Sequence, residues 1–212
     1  MLTIYSIPLS LYCAKLRILL RHKELKWQEL LPPGGYGSDE YKKRVPSGNL
    51  PTLIDGGLEL ADSESIAEYL NEKFIIPAML PVKISSRAKC RELGRFHDTR
   101  LEPAVRKLFP EISAKPRDLQ LCKTQATEIN SRINQLASML EPPFPNGLML
   151  SDCGFAITFC WIEELNTLLN MKITWPKLVL KWQKKLELHP AVSIELQTYR
   201  PLLTKWINQN AA

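Results

Sequence analysis

Gly48-Asn49-Leu50-Pro51-Thr52-Leu53-Ile54-Asp55-Gly56-Gly57-Leu58-Glu59-Leu60-Ala61-Asp62-Ser63 reads as loop, strand, tight turn, strand and helix start. Thr52 to Ile54 and Leu58 to Leu60 are short apolar-rich runs, and Asp55-Gly56-Gly57 between them supplies the positive φ values a hairpin turn needs. Two adjacent antiparallel strands are predicted. Asp62 and Ser63 are good N-cap types, and Ile66, Ala67, Leu70 and Phe74 recur at helical spacing, so a helix is expected from Ser63. Its free N–H groups and positive dipole end favour a carboxylate ligand. Pro51 stands directly before a strand, where a cis bond would re-aim the N–H and C=O of Leu50. An extended peptide can pair with such an edge as an added strand while the helix start a dozen residues on captures its carboxylate. The implied ligand is a small acidic peptide.

Gly-x-Leu-Pro-Thr-Leu over 48–53, followed by Asp-Ser-x-x-Ile over 62–66, resembles the glutathione-binding signature of the cytosolic glutathione transferase family. The resemblance is to serine-type members, zeta- or omega-like and bacterial in style. The family's acidic-serine pair is usually Glu-Ser; Asp62-Ser63 aligns with it because Ile66 stands three residues after Ser63, a spacing that Glu64-Ser65 lacks. The resemblance implies an α/β plus all-α fold: a thioredoxin-like N-terminal domain with a cis-proline, then an all-helical C-terminal domain. It also implies that Asn49, Leu50, Pro51, Asp62 and Ser63 bind glutathione as a co-substrate, that the chain is cytoplasmic, and that it forms a homodimer with the Ser63 helix of one subunit near the Ser85 helix of its neighbour.

The rest of the chain fits that order. Leu2 to Tyr5 alternates as a first strand, a loop with Ser10 leads into a helix with Leu16, Leu19 and Leu20 as its buried stripe, and Leu25 to Leu31 can be a second strand. Pro32-Pro33-Gly34-Gly35-Tyr36-Gly37 begins a variable linking segment before the hairpin. Two prolines and no periodicity over 75–82 mark a boundary. The expected division is 1–76 for glutathione, 77–84 as linker, and 85–212 as the helical domain lining the second-substrate site. There a long helix is predicted over 85–109, bent before Pro103, with a seam of Leu119, Cys122, Ala126, Ile129, Ile133, Leu136 and Leu140 behind it. Helices over 152–169 and 176–188 follow, and Pro190 and Pro201 open two short final ones. The family's capping box has Ser or Thr three residues before Asp152, where this chain has Met149.

Chemistry has to come from the first strand-loop-helix, because glutathione's thiol must be held as thiolate to attack an electrophile. Lowering a thiol pKa by about two units from ~8.5 takes roughly 2.7 kcal/mol. One hydroxyl donor and a helix N-terminus supply much of that. Ser10 is the catalytic candidate, since Ser10-Leu11-Tyr12-Cys13 resembles the entry of serine-type transferases and Ser10 falls where omega-type relatives carry a reactive cysteine. A plain helix cap is the competing reading. Tyr5 reads as core. Cys13 reads as buried filler, because Ser10 occupies the place of a partner thiol. The second substrate, a small electrophilic or apolar molecule, is assigned to Leu9, Leu11, Phe96 and Arg100.

Composition narrows the alternatives. A chain of 212 residues, 45% hydrophobic, can bury a real core in one or two domains. No apolar run is long enough to cross a bilayer, no signal-type segment opens the chain, and five scattered cysteines without ligand spacing suit reduced thiols and no metal. The formal charge of +6 is spread over most of the chain, so solvated helix faces are expected and not a nucleic-acid surface. Two other functions stay open beside transfer to an electrophile. One is a zeta-like isomerase, in which glutathione adds to a double bond and then leaves; the other is a non-catalytic binding or regulatory protein on the same fold.

Overall fold

Four short strands form one mixed sheet in the computed structural model, which describes residues 1–211. β1 (Leu2–Tyr5) runs parallel to β2 (Trp27–Leu30) and antiparallel to β3 (Thr52–Asp55), which pairs in turn with β4 (Leu58–Ala61); the order is β2-β1-β3-β4. A parallel pair needs a crossover, and α1 (Leu11–His22) provides it. Gly56-Gly57 alone joins β3 to β4, with Gly56 at φ 61°, a value that penalises any side chain. α3 (Ser63–Lys73) follows β4 directly and packs against α1. The order is that of the thioredoxin-like fold, and it occupies one compact unit, Met1–Met79.

Two local differences from expectation have plain causes. Leu25 does not enter β2, because it completes the C-terminal turn of α1: Glu24 lies at φ 52°, the Glu24 N–H donates to the Arg21 carbonyl and the Leu25 N–H to the Leu20 carbonyl. The linking segment contains a helix, α2 (Asp39–Arg44), with Ser38 as N-cap, acidic residues in its first turn and Lys42, Lys43 and Arg44 in its last. Arg17 and Lys15, outside the stripe of Leu16, Leu19 and Leu20, are buried as well, so the helix is enclosed from Cys13 to Leu20. Lys23 is buried too, its ammonium donating to the carbonyls of Phe74 at 2.6 Å and Pro77 at 2.9 Å, beyond the end of α3.

The second unit begins at Leu80, and its regular elements among the described residues are helices. The long helix expected before Phe109 is interrupted: α4 (Ile84–Phe96) passes into a π-helical turn over His97–Leu101 and then into α5 (Glu102–Arg106). Pro103 has no N–H to offer the regular ladder, and the Glu102 N–H reaches back five residues to the His97 carbonyl, so the expected bend takes the form of a widened turn. α6 (Leu119–Met139) buries Cys122, Ala126, Ile129, Ile133 and Leu136 as the spacing requires, while Leu119, in its first turn, is exposed. α7 (Phe155–Leu169) is buried on all sides from Phe155 to Ile162, the pattern of a central helix. It is flanked by α8 (Lys177–Leu188) and α9 (Pro190–Ala211). The two short final helices are one: α9 continues through Pro201, because Leu196, Tyr199, Leu203 and Ile207 keep a single buried face on both sides of it.

At the head of α7 a 3-10 turn over Leu150–Gly154 replaces the first helical turn expected from Asp152. With Met149 in place of a hydroxyl residue, the cap keeps one arm: the Asp152 carboxylate accepts from the Met149 N–H at 2.9 Å and from the Ser151 hydroxyl at 3.3 Å. Burial pushes the Asp152 carboxyl up from 3.8 to about 6, against those two bonds, which favour the anion. Since the folded value lies above the unfolded one, the stabilisation this group contributes is complete below about pH 4 and is lost as pH rises through about 6. The stability of the parent chain relative to Asp152→Asn, measured by urea denaturation, is therefore expected to fall by up to about 3 kcal/mol across that window. A difference that is flat with pH would show that Asp152 does not titrate there.

Candidate functional site

Tyr5 pairs with Thr52, and Thr52 with Ala61, so one row of residues crosses β1, β3 and β4 at the same end of the sheet. Three chain segments leave from that row: the loop after β1 that carries Ser10, the Leu50-Pro51 approach to β3, and Asp62-Ser63 after β4. The sheet register thus gathers residues that are far apart in sequence. Lys15 on α1 and Glu64 in the first turn of α3 form an ion pair at 2.7 Å, with Lys15 almost fully buried, and tie the two helix starts together.

Ser10 is the N-cap of α1. Its Oγ accepts the Cys13 N–H at 3.3 Å, and an oxygen used as acceptor still has a proton to donate. The loop that carries it is pinned by the buried Arg17 guanidinium, which donates to Ser6 Oγ at 3.1 Å and to the Pro8 carbonyl at 3.0 Å and lies 3.4 Å from Glu29. Leu50-Pro51 is a cis peptide bond. Leu50 lies outside the β3 ladder, and its N–H and C=O enter none of the backbone bonds of the turns and loops. Asp62 caps α3, its Oδ1 accepting from the N–H groups of Glu64 at 3.1 Å and Ser65 at 2.8 Å. Ser63, half-buried, is the first residue of the helix. Asn49 is exposed, with its carbonyl held by the Tyr41 hydroxyl.

This arrangement offers two helix N-termini, the backbone of Leu50 outside the ladder and a hydroxyl donor at one end of a sheet. Such groups suit an extended peptide with a carboxylate at one end and an anion at the other. Arg44, the cation that ends α2, is engaged with both oxygens of Glu59 at 2.9 and 3.0 Å. Of the residues assigned to a second substrate, Leu11 and Phe96 are buried, Leu9 is half-buried and Arg100 is exposed. Tyr5 is buried edge-on against Tyr41. Among the described residues no cluster of His, Cys, Asp and Glu could hold a metal ion, and no helix is long and apolar enough to cross a membrane.

Tyr41, Lys15 and Arg17 escaped the sequence reading as contributors to the site. Only Tyr41 had a legible signal, since Ser38-Asp39-Glu40 before Lys42-Lys43-Arg44 is the charge order of a short capped helix. The other two are cations on an apolar helix, and their burial depends on partners distant in sequence.

Residues 4–77 match the family model described as "Glutathione S-transferase, N-terminal domain". Among curated proteins, a stringent starvation protein A homolog of Coxiella burnetii is 37% identical over 92 residues, 43% of this chain and 44% of that protein, so the match spans less than half of that relative's length. A homolog of the same name from Haemophilus ducreyi is 33% identical over 165 residues, covering 77% of this chain and 72% of that protein. Among solved structures, the Tau class glutathione S-transferase of mango, Mangifera indica, superposes with a TM-score of 0.83 at 19% identity, covering 99% of this chain and 98% of that one; at that identity it speaks for the fold alone.

Cys13 bears on which residue of the loop is reactive. It is fully buried, and loss of water pushes its thiol pKa up, against the opposing pull of Ser10, the Ile7 backbone and Ser6. A buried thiol held protonated is a poor nucleophile. In the folded protein at about pH 8, Cys13 is expected to resist iodoacetamide over a time in which the urea-unfolded chain is fully alkylated at that residue, as read by peptide mass. Rapid alkylation of Cys13 in the folded protein would return it to consideration as a redox group.

Proposed function

The chain belongs to the glutathione S-transferase family, and from that premise we propose that it binds glutathione along the Leu50 edge and activates its thiol through Ser10 for attack on a small electrophile. The γ-glutamyl end meets Asp62-Ser63 and the first turn of α3. The tripeptide backbone pairs with Leu50 beside Pro51, and Asn49 reaches the glycyl end. Ser10 donates a hydrogen bond from its hydroxyl to the sulfur and stabilises the thiolate as the thiol proton leaves to solvent. The sulfur then forms a bond to the electrophilic carbon, and the displaced group departs with the bonding electron pair.

The observation that carries this reading is the state of Ser10. Its oxygen is committed as the α1 cap, so the hydroxyl is oriented by the helix it starts, and it keeps a proton to donate when a sulfur lies beside it. Ser10→Ala is expected to lower turnover with an electrophile such as a chlorodinitrobenzene by about 10- to 100-fold while changing glutathione affinity little, because the hydroxyl matters mainly once the thiolate forms. Ser63→Ala or Asp62→Asn is expected to weaken glutathione binding itself in a calorimetric titration. Full activity in the Ser10 variant would leave Ser10 as a cap only, and unchanged affinity in the other two would remove them from the site.

A non-catalytic binding role is the second reading. It is favoured by the Haemophilus ducreyi relative, matched over 72% of its length and named as a stringent starvation protein A homolog rather than as a transferase. Retention on immobilised glutathione together with no turnover across a panel of electrophiles would decide for it.

Assembly belongs to the same proposal: a two-fold homodimer with α3 of one subunit near α4 of its neighbour. Support comes from the apolar side chains just before and at the start of α4, where Val82 is 97% and Ile84 82% exposed. Light scattering at micromolar concentration is expected to give about twice the chain's own 24.3 kDa. A monomer mass with glutathione bound would show that the dimer is neither present nor needed.

A further inference from the structure

Tyr41 is the buried residue of α2, with no exposed surface, and its phenolic oxygen makes two bonds of 2.7 Å, one to the Asn49 carbonyl and one to Thr52 Oγ1. A carbonyl only accepts, so the phenol proton goes to Asn49, and the Thr52 hydroxyl donates into the phenol oxygen. The two bonds fall on either side of Leu50-Pro51 and close around that dipeptide. The ring stands edge-on against Tyr5, with centroids 5.8 Å apart and planes at 81°, in a cluster with Cys13, Val45 and Leu50. α2 itself is anchored by Ser38, which accepts the Tyr41 N–H at 3.1 Å and donates to the Pro33 carbonyl at 2.7 Å. Burial raises the phenol pKa, so the group stays a neutral donor over the physiological range.

We infer that the Tyr41 hydroxyl is a positioning group for ligand binding: by bonding Asn49 and Thr52 it holds the Leu50-Pro51 backbone at the angle from which Leu50 pairs with an extended peptide. This rests on the reading of Leu50 as the glutathione edge. Leu50 has no ladder partner of its own; its side chain packs in the cluster with Tyr41, and the Tyr41 hydroxyl bonds the residues on both sides of Leu50-Pro51. Removing the hydroxyl leaves the ring packed and frees the segment to rotate.

The test compares Tyr41→Phe, Thr52→Val and Thr52→Ser by glutathione titration and by amide hydrogen exchange without ligand. Tyr41→Phe is expected to raise the glutathione dissociation constant about tenfold, with Thr52→Val close behind and Thr52→Ser, which keeps the hydroxyl, near the parent value. Exchange is expected to quicken about tenfold or more at the amides of 49–53 while those of α1 and α3 keep their parent rates. A merely structural role would quicken exchange throughout the unit. Parent-like glutathione affinity in Tyr41→Phe would overturn the inference. Should the parent chain bind no glutathione, the functional reading fails separately, and the exchange pattern still decides: quickening confined to 49–53 supports the clamp, and uniform or unchanged exchange overturns it.

Discussion

Antiparallel pairing of β3 with both β1 and β4 sets Tyr5, Thr52 and Ala61 side by side, and the geometry of the candidate site follows from that row. Strand pairing has a period of two, so a slip of one residue would turn Thr52 and Leu53 to opposite faces, and with them the Leu50-Pro51 segment. It would also move Asp62 relative to Ser10. The short Gly56-Gly57 turn leaves little slack for such a slip, and the Tyr69 hydroxyl and Lys73 of α3 both hold Asp55 at the end of β3.

Around that row the first unit uses buried cations as ties. Lys15 reaches Glu64 and Arg17 reaches Ser6 and the Pro8 carbonyl from opposite sides of one turn of α1, and Lys23, at its C-cap, reaches two carbonyls beyond α3. Taking a charge out of water costs several kcal/mol, so such groups are weak sources of net stability, and each one buried here requires an acceptor at a set place. An apolar helix would pack against the sheet and α3 in several registers. One whose three charges each need a particular acceptor has one favourable register. That precision matters at Ser10, where a hydroxyl has to meet a sulfur within hydrogen-bond distance.

In the second unit, specification is by shape. α7 is buried all round from Phe155 to Ile162, and aromatic edges from Trp175 and Trp182 meet Phe159, with Trp182 also meeting Phe155. The π-helical turn sets His97 between Asp98 and Thr158, with ring nitrogens 2.7 Å from each, against Gly154, where a Cβ would run into the imidazole. Here a missing side chain is as specific as a bond.

The thioredoxin-like sheet was implied by the family resemblance, while local sequence determined the hairpin at Gly56-Gly57, the cap at Asp62 and the change to helices after the boundary, because each depends on residues within a turn or two of one another. The Leu50-Pro51 segment was legible for the same reason. Tertiary structure decided the rest. Pro201 did not end α9, since a continuous buried face outweighs one lost hydrogen bond. Leu25 went to the end of α1 rather than to β2, because Glu24 took a left-handed conformation that the spacing did not signal. The roles of Tyr41, Lys15 and Arg17 arose only when the sheet register and helix packing brought them to their acceptors. A side chain's partner, unlike its propensity, is not written beside it in the chain.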